Sequence, residues 1–458
     1  MKYNYVFSSG MESFEIKKED LERLKNALNS DDAELEKVLA EYHASEIAIL
    51  FERLPLEARE RIINILPTEE ASDVISEMNE EQDPGELLIG LDPEKRSEII
   101  EDLDYDDATD IISQLDEDEQ TEILRDIDEE DASNIRTLLG YAEDTAGGLM
   151  NTSIIKVNID MDKMTAIDEI IRQSEELEEF NTIYAIDADN TLKGILSIKS
   201  ILKAHANTWI NTLVNRDFVF VKADLDQEEV AKLFSQYNLT AIPVVDDQMK
   251  LLGRITVDDI IDVMEEESTE DILKISGVSE DEELSGTWIA AVKSRLPWLI
   301  INLGTAYLAA SIIRHFDTTV QNIPIIAAYM TIIAGMGGNA ATQALAVTVR
   351  RISLTDLTDQ QSYRTVLKEF LVGMLNGAAN GIIVFFIALV YDASLKLGLV
   401  LFLAMTGNLI IAGLTGSSIP LILKRVGIDP AVASSIIITT FTDCAGFLLP
   451  LWLATKIL

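Results

Sequence analysis

The chain has 458 residues, one cysteine, three histidines and a formal net charge of −43. Its length is about three times that of a common domain, so at least two folding units are expected. Residues 1–296 hold 27 Lys and Arg against 72 Asp and Glu, whereas residues 297–458 hold 9 against 7. This division excludes an ordinary single-domain enzyme and a nucleic-acid-binding protein, because the acidic part repels phosphate. The single cysteine excludes an intramolecular disulfide.

The first 140 residues show a short repeat. Apolar residues recur every 12 residues, with one step of 13, from Leu54 to Ile127. Most of them are followed by a residue that starts a helix, such as Asp92 or Asp104. A helix of about two turns cannot bury its apolar face alone. We therefore predict an acidic, all-α N domain over residues 1–140, built as a helical solenoid.

Residues 141–265 contain a longer duplication. The segment Thr182–Leu202 aligns with Ala241–Ile261, and each copy reads as an apolar strand, an acidic turn, a second strand with Gly and a helix start. A helical pattern precedes both copies. The modules resemble cystathionine β-synthase-type (CBS) domains, regulatory units that often bind adenine nucleotides. We therefore expect a tandem α/β CBS pair, for which ATP is a candidate ligand.

The next segment, residues 256–290, is predicted to be an acidic helix that connects to the apolar part. Its acids crowd on adjacent helical turns, and like charges at that spacing repel. Divalent cations would relieve this repulsion better than monovalent ions. A merely solvated charged linker is the alternative.

Residues 291–458 are predicted to form an α-helical transmembrane domain, because they contain five stretches long enough to cross a bilayer. Eight basic residues flank the side on which the first span starts and three flank the other, which places residues 1–296 in the cytoplasm and the C-terminus outside. No apolar signal segment is visible at the N-terminus, which agrees with this placement. The predicted spans are Pro297–Ile313, Ile323–Val349, Val366–Tyr391, Leu397–Leu423 and Ala431–Leu458.

These spans carry unusual polar residues. Asp443 lies in the fifth span, where an ionised carboxylate is costly and usually marks an ion path. Ser435 and Thr439 precede it at intervals of four and share its helix face, so they extend a stripe of oxygen ligands. Two alternatives stay open: a protonated Asp443 bonded to a neighbouring amide, and a tightly packed bundle whose amides bond to one another.

Over nearly its whole length the chain resembles the MgtE-type magnesium channel family. That family has an acidic helical N domain, a CBS pair, a connecting plug helix and five spans that form a homodimeric pore. The motifs that carry the resemblance are EDTAGGLM (Glu143–Met150), ITVDD (Ile255–Asp259), STEDI (Ser268–Ile272), GMGGNAATQ (Gly335–Gln343), IDPA (Ile428–Ala431) and TDCAGF (Thr442–Phe447).

The resemblance implies roles for individual residues. The pore carboxylate corresponds to Asp443 and the asparagine of the second span to Asn339. A family member has Asn eight residues before the pore Asp, where this chain has Ser435, which still offers an oxygen ligand. The sensor acids implied by the resemblance are Asp226 and Glu228 in the second CBS domain, Asp259, Asp262, Glu267, Glu270 and Asp271 on the plug helix, and Asp429 beside the pore.

The sequence thus predicts a homodimeric magnesium channel of the cell membrane that cytosolic Mg²⁺ closes by binding to acidic surfaces. Co²⁺ and Mn²⁺ stay open as further ions. One alternative is an antiporter that exchanges a divalent ion for H⁺ or Na⁺ through the same Asp443. Another is a membrane-anchored nucleotide sensor that transports nothing. The sequence contains no nucleophile–base pair and no phosphate-binding loop, so we expect no enzymatic activity.

Overall fold

The computed structural model describes residues 18–79, 82–174, 182–279, 287–354, 357–430 and 434–458. The chain divides into two compact units, Met1–Val263 and Met264–Leu458.

In the described part of the first unit, from residue 18 onward, ten short helices come first. The fourth and fifth helices begin about 12 residues apart, as the repeat predicts. The seventh, eighth, ninth and tenth helices also follow one another at this interval. Asp92 caps one of them by accepting a hydrogen bond from the backbone N–H of Glu94, and Asp116 and Glu119 form a capping box on another. Their apolar faces join in one core. The helices are α1 (Lys18–Leu28), α2 (Asp32–Leu39), α3 (Ala44–Phe51), α4 (Leu56–Ile65), α5 (Thr68–Ser76), α6 (Pro84–Ile89), α7 (Pro93–Asp102), α8 (Tyr105–Ser113), α9 (Glu117–Asp126) and α10 (Glu129–Leu138).

Two small α/β modules of the same topology follow. In each, the first strand pairs parallel with the second and the second pairs antiparallel with the third. Thr182 pairs with Ser197 in the first module and Ala241 with Thr256 in the second, so the sequence duplication is a structural one. The elements are β1 (Lys156–Asn158), α11 (Lys163–Gln173), β2 (Thr182–Ile186), β3 (Leu192–Ser197), α12 (Ile198–Lys203), β4 (Val221–Lys222), α13 (Gln227–Tyr237), β5 (Ala241–Val245) and β6 (Leu251–Thr256).

The acidic connector forms the 20-residue helix α14 (Val257–Ser276). It occupies only the first part of the predicted range 256–290, since the backbone of Gly277 turns into the left-handed region with φ of 75°. Residues 280–286 of that range lie outside the described part of the chain.

Among the described residues of the second unit, five long helices are apolar enough to cross a membrane, which confirms the predicted number. The first four extend beyond the predicted limits at one end or both, because charged residues at the ends, such as Arg350 and Arg351, continue the helix although they interrupt the apolar run. The last one stays within its predicted limits. The start of the last predicted span, residues 431–433, lies outside the described residues. The elements are α15 (Trp288–His315), the short α16 (Asp317–Asn322), α17 (Ile326–Leu354), α18 (Asp359–Tyr391), α19 (Leu395–Val426) and α20 (Ser434–Ile457).

Small residues bring these helices into close contact. A Cβ atom at Gly373 of α18 would lie 2.4 Å from the carbonyl oxygen of Leu409 on α19, so only glycine fits there. A Cβ atom at Gly446 of α20 would lie 2.7 Å from the Cα of Ala334 on α17. A second contact of the same two helices joins Ile438 of α20 with Ala341 of α17. Compared with the contact of Gly446 and Ala334, the residue number is lower on α20 and higher on α17. The helices α17 and α20 are therefore antiparallel.

Candidate ion pathway and metal sites

Asp443 is the carboxylate of α20 at membrane depth, and it is half-buried. Within the described residues, no side chain or backbone group donates a hydrogen bond to it and no cation pairs with it. The alternative in which a neighbouring amide holds this carboxyl therefore finds no support in the described part of the chain. An unpaired carboxylate at this depth attracts a cation.

The hydroxyl stripe continues from Asp443 along one face of α20. Thr439 is exposed and Ser435 is half-buried. The Thr439 hydroxyl donates to the backbone carbonyl of Ser435 at 2.7 Å, which leaves the hydroxyl oxygen free to accept from a ligand. The predicted stripe thus exists as three oxygen-bearing side chains at successive turns.

Asn339 lies on α17 at nearly the same depth as Asp443. The contact of Gly446 with Ala334 sets the register of the two antiparallel helices. Three residues before Gly446, Asp443 therefore lies opposite residue 337 of α17. Residue 339 is two residues farther along α17, which is about 3 Å along the helix axis. Asn339 is exposed on this single chain. Asn408 of α19 differs from Asn339, because it is fully buried and donates a hydrogen bond to the carbonyl of Ile333 at 2.8 Å. The packing alternative therefore describes Asn408 but not Asn339.

The last turns of α14 contact the end of the membrane helices at which the hydroxyl stripe begins. Asp271 accepts a hydrogen bond from the hydroxyl of Ser353 on α17 at 3.2 Å. Ile275 packs against the core that α17, α19 and α20 share. A Cβ atom at Gly277 would lie 3.6 Å from the hydroxyl oxygen of Ser435. The predicted plug helix and the predicted pathway therefore meet.

Sequence reasoning missed the basic residue of this contact, Lys274. Its ammonium lies 2.9 Å from a carboxylate oxygen of Asp429, in the loop after α19, and also pairs with Glu270 one turn earlier on α14. The i,i+4 spacing of Glu270 and Lys274 was a visible signal for the second pair. Two of the predicted sensor acids thus share one cation of the protein itself.

The remaining predicted sensor acids have varied surroundings. Asp226 caps α13 by accepting a hydrogen bond from the backbone N–H of Glu228 at 2.9 Å. The Glu228 carboxylate lies 3.2 Å from the ammonium of Lys232. Asp262 is exposed and Glu267 is half-buried on α14. Asp226 and Glu228 therefore have structural partners in addition to any role as metal ligands.

A second acidic cluster, between the N domain and the second CBS module, was also missed. We call Asp104, Asp106, Asp107, Asp258 and Asp259 the interdomain acids. Burial, followed by the charges of Asp107 and Asp259, raises the pKa of Asp106 well above its usual value. Burial, followed by the charges of Asp104 and Asp259, raises the pKa of Asp107 to about 8. The run of acids around residue 106 was visible in the sequence, but its meeting with Asp259 depends on the tertiary fold.

Asp259 itself is held in place. Its carboxylate accepts hydrogen bonds from the backbone N–H of Thr256 at 3.0 Å and from the Thr256 hydroxyl at 2.7 Å. Burial raises its pKa, these two hydrogen bonds lower it, and the charges of Asp258 and Asp104 raise it further. The side-chain amide of Asn151 donates a hydrogen bond to the Asp106 carboxylate at 3.1 Å. This single hydrogen bond offsets only a small part of the repulsion among the interdomain acids. Crowded carboxylates whose ionisation is this unfavourable need a proton or a metal cation.

The part of the N domain that the structure describes has one further group of close carboxylates. Oxygens of Glu101, Asp128 and Asp131 lie within 4.8 Å of one another. Asp131 accepts a hydrogen bond from the Tyr105 hydroxyl at 2.7 Å, and Glu101 accepts one from the backbone N–H of Asp128 at 3.0 Å. These bonds give the group a role in joining neighbouring short helices.

Family models match most of this architecture. The model of the MgtE divalent cation transporter matches residues 330–453, that of the MgtE intracellular N domain matches residues 42–144, and that of the CBS domain matches residues 146–207 and 210–266. A magnesium transporter MgtE of Thermus thermophilus is 31% identical over 445 residues, which cover 95% of this chain and 98% of the relative. The chain belongs to the MgtE family of magnesium transporters.

Two further members of the MgtE family extend the comparison. A magnesium transporter MgtE of Enterococcus faecalis is 36% identical over 318 residues, covering 69% of this chain and 70% of the relative. A solved structure of the cytosolic domain of the Mg²⁺ channel MgtE in complex with ATP is 33% identical with a TM-score of 0.50, and covers 53% of this chain and 99% of that one. The predicted N domain, CBS pair and five spans are thereby confirmed.

Proposed function

We propose that this MgtE protein is a channel that imports Mg²⁺ down its electrochemical gradient, with Asp443 as the carboxylate of the ion pathway. The observation that carries the proposal is the position of Asp443, at membrane depth and without a cationic or hydrogen-bonding partner among the described residues. Asn339, Thr439 and Ser435 would contribute further oxygens. The membership of a magnesium transporter family supports Mg²⁺ as the ion, and Co²⁺ or Mn²⁺ as further ions is a matter for competition experiments.

The chemistry of Mg²⁺ favours recognition through water. The ion demands octahedral oxygen ligation and dehydrates reluctantly, so carboxylates and hydroxyls that hydrogen-bond its water shell avoid the largest cost of binding. A membrane potential that is negative inside contributes about 4.6 kcal/mol per 100 mV to the entry of a divalent ion, at about 2.3 kcal/mol for each charge. No coupled gradient is needed.

A second copy of the chain would complete the pathway. Asn339 and Thr439 are exposed on one protomer at membrane depth, where contact with lipid would leave their polar groups without partners. Pairing of two such faces would bring two Asp443 carboxylates around one axis. We therefore propose a homodimer, in the cell membrane, with the acidic unit in the cytoplasm and the C-terminus outside.

Closure by cytosolic Mg²⁺ follows from the acidic surfaces. Without a divalent cation, the interdomain acids repel one another when they ionise; with Mg²⁺ bound, the N domain and the CBS pair are held together. Asp226, Glu228, Asp262, Glu267 and Asp271 would contribute further ligands or screening charge. Because Mg²⁺ can favour closure only by binding the closed state more tightly, the closed state must hold more metal than the open state.

ATP binding at the CBS pair is the remaining part of the proposal. Three buried polar atoms lack hydrogen-bond partners there, within the described residues: the Tyr184 hydroxyl, the Arg254 Nε and the Thr152 hydroxyl. Residues 151 and 254 pair through their backbones, and the charge of Arg254 lowers the pKa of Tyr184 against the larger effect of burial. Arg254 therefore lies near Tyr184 and pairs with the residue that precedes Thr152. Tyr184→Phe is expected to weaken ATP binding in calorimetry at least about fivefold, as loss of one buried hydrogen bond does; unchanged affinity would contradict this site.

The channel proposal is tested by Mg²⁺ uptake into proteoliposomes under an imposed negative-inside potential, with no H⁺ or Na⁺ gradient. We expect uptake by the natural chain at low Mg²⁺ on its cytosolic face and a fall of at least about tenfold in Asp443→Asn. The matched control is Asp317→Asn, which removes an exposed carboxylate outside the proposed pathway. Uptake only in the presence of an H⁺ or Na⁺ gradient would favour an antiporter, and no uptake would favour an anchored sensor.

A further inference from the structure

The end of α14 is held against the membrane helices by an ammonium group of the protein. Lys274 pairs with Glu270 of its own helix and, at 2.9 Å, with Asp429 in the loop between α19 and α20. The Lys274 side chain is only 12% exposed, and those of Glu270 and Asp429 are about one-third exposed, at 33% and 38%. This is a partly buried bridge between two elements rather than a solvated surface pair.

Neighbouring contacts also attach this turn of α14 to the membrane helices. Asp271 binds Ser353 of α17, and Ile275 enters the apolar core that α17 and α20 share. These contacts are made by side chains of the protein itself. The last turn of α14 is therefore attached by a hydroxyl, an apolar side chain and an ammonium, at the end where the hydroxyl stripe of α20 begins.

We propose that Lys274 replaces a divalent cation at this end of α14. Glu270 and Asp429 are two carboxylates of different elements that face one another, which would require a divalent ion for closure if no other cation lay between them. The Lys274 ammonium supplies that positive charge permanently. The proposal rests on the Mg²⁺-closed channel proposed above and refines its regulation: Mg²⁺ acts at the acids farther up the helix and on the interdomain acids, while the last turn of α14 stays pinned.

This arrangement predicts a specific change when the ammonium is removed. In Lys274→Met the two carboxylates repel at low Mg²⁺, so α14 undocks and the channel stays open to higher Mg²⁺. At high Mg²⁺ an ion can enter the vacated position, so closure still occurs and takes up one more ion. The Mg²⁺ concentration of half-closure should therefore rise and the dependence on Mg²⁺ should become steeper.

The test is the open probability of the full chain in a planar bilayer against Mg²⁺ on the cytosolic face. We expect half-closure of Lys274→Met at about fivefold higher Mg²⁺, in keeping with the strength of a partly exposed ion pair. Lys274→Arg keeps the charge and should stay near the natural chain. The double variant Lys274→Met with Asp429→Asn removes the repulsion and should recover most of the shift.

The matched control is Lys368→Met, which removes an exposed ammonium near the same end of the membrane helices. An unchanged midpoint in Lys274→Met would overturn the proposal, and a lowered midpoint would show that the ammonium competes with the metal instead. Failure of the double variant to recover would show that Lys274 acts through packing. If Mg²⁺ does not close the natural chain at all, the proposed function itself is contradicted. The role of Lys274 is then a separate question, because the variants have no Mg²⁺-dependent closure to compare.

Discussion

The two units of this protein are stabilised in different ways. The acidic unit consists of short helices and small sheets with apolar cores, but it crowds Asp106, Asp107 and Asp259 where its domains meet. The membrane unit contains close helix contacts at glycines such as Gly373 and Gly446, where backbones touch. Cohesion should thus depend on cations and pH in the acidic unit, and on steric fit in the membrane unit.

The largest expected effect breaks the membrane unit alone. Gly373→Leu places a side chain where even a Cβ would lie 2.4 Å from a backbone carbonyl of α19, and we expect a loss of about 3 kcal/mol in stability. The measurement is thermal unfolding of the purified chain in detergent, followed separately for the two units. Gly304→Leu is the control, since no heavy atom lies within 4 Å of a Cβ there. Equal behaviour of the two variants would contradict steric packing as the basis of this unit.

A somewhat smaller effect should appear only in the acidic unit, when Mg²⁺ and pH are varied. The folded-state pKa values of Asp106, Asp107 and Asp259 are raised, so the folded unit binds more protons than the unfolded chain. Its stability therefore falls as the pH rises from about 4, the ordinary value for Asp, towards about 8, the value for Asp107. Mg²⁺ replaces the lost protons, and at 100 times its dissociation constant it should restore about 2.7 kcal/mol.

This prediction is checked by thermal unfolding at pH 6 and pH 8 with and without MgCl₂, against NaCl of equal ionic strength. The stabilisation by Mg²⁺ should be larger at pH 8 than at pH 6. It should disappear in the triple variant Asp106→Asn, Asp107→Asn, Asp259→Asn. A stabilisation that NaCl reproduces in full would contradict metal binding at these acids and indicate general screening.

The smallest effect separates two roles of one residue. Asp226 caps α13, so Asp226→Ala should lower the stability of the acidic unit by about 1 kcal/mol, whereas Asp226→Asn retains a capping oxygen and should change it little. If Asp226 also contributes to Mg²⁺-dependent closure, Asp226→Asn should shift closure without this loss of stability. Equal losses of stability in both variants would show that the charge, and not the cap, stabilises the helix.

Most of the fold could be predicted from the sequence because its signals are local. The capping aspartates such as Asp92 and the interval of 12 residues reveal the short helices, and the repeated strand–turn–strand pattern reveals the paired modules. The five apolar runs reveal the membrane helices, although not their full lengths. The end of α14 at Gly277 was harder to place, because a glycine stops a helix only where the backbone adopts a positive φ.

The candidate sites could be predicted only in part, since they depend on contacts between distant segments. Asp443 was conspicuous because a carboxylate is rare in an apolar run. The meeting of Asp107 with Asp259, more than a hundred residues away, leaves no local signal, and neither does the bridge from Lys274 to Asp429. In both cases the sequence shows an excess of charge, and only the fold shows which charges face one another and which are compensated.

The most direct test of an ion-conducting membrane unit controlled by the acidic unit is single-channel recording of the full chain in a planar bilayer. Mg²⁺ is raised to millimolar concentration on one face at a time under a fixed voltage. We predict unitary currents whose open probability falls when Mg²⁺ is raised on the face that carries the acidic unit, and stays unchanged when it is raised on the other. Absence of unitary currents while Mg²⁺ uptake persists, or equal closure from both faces, would contradict the account.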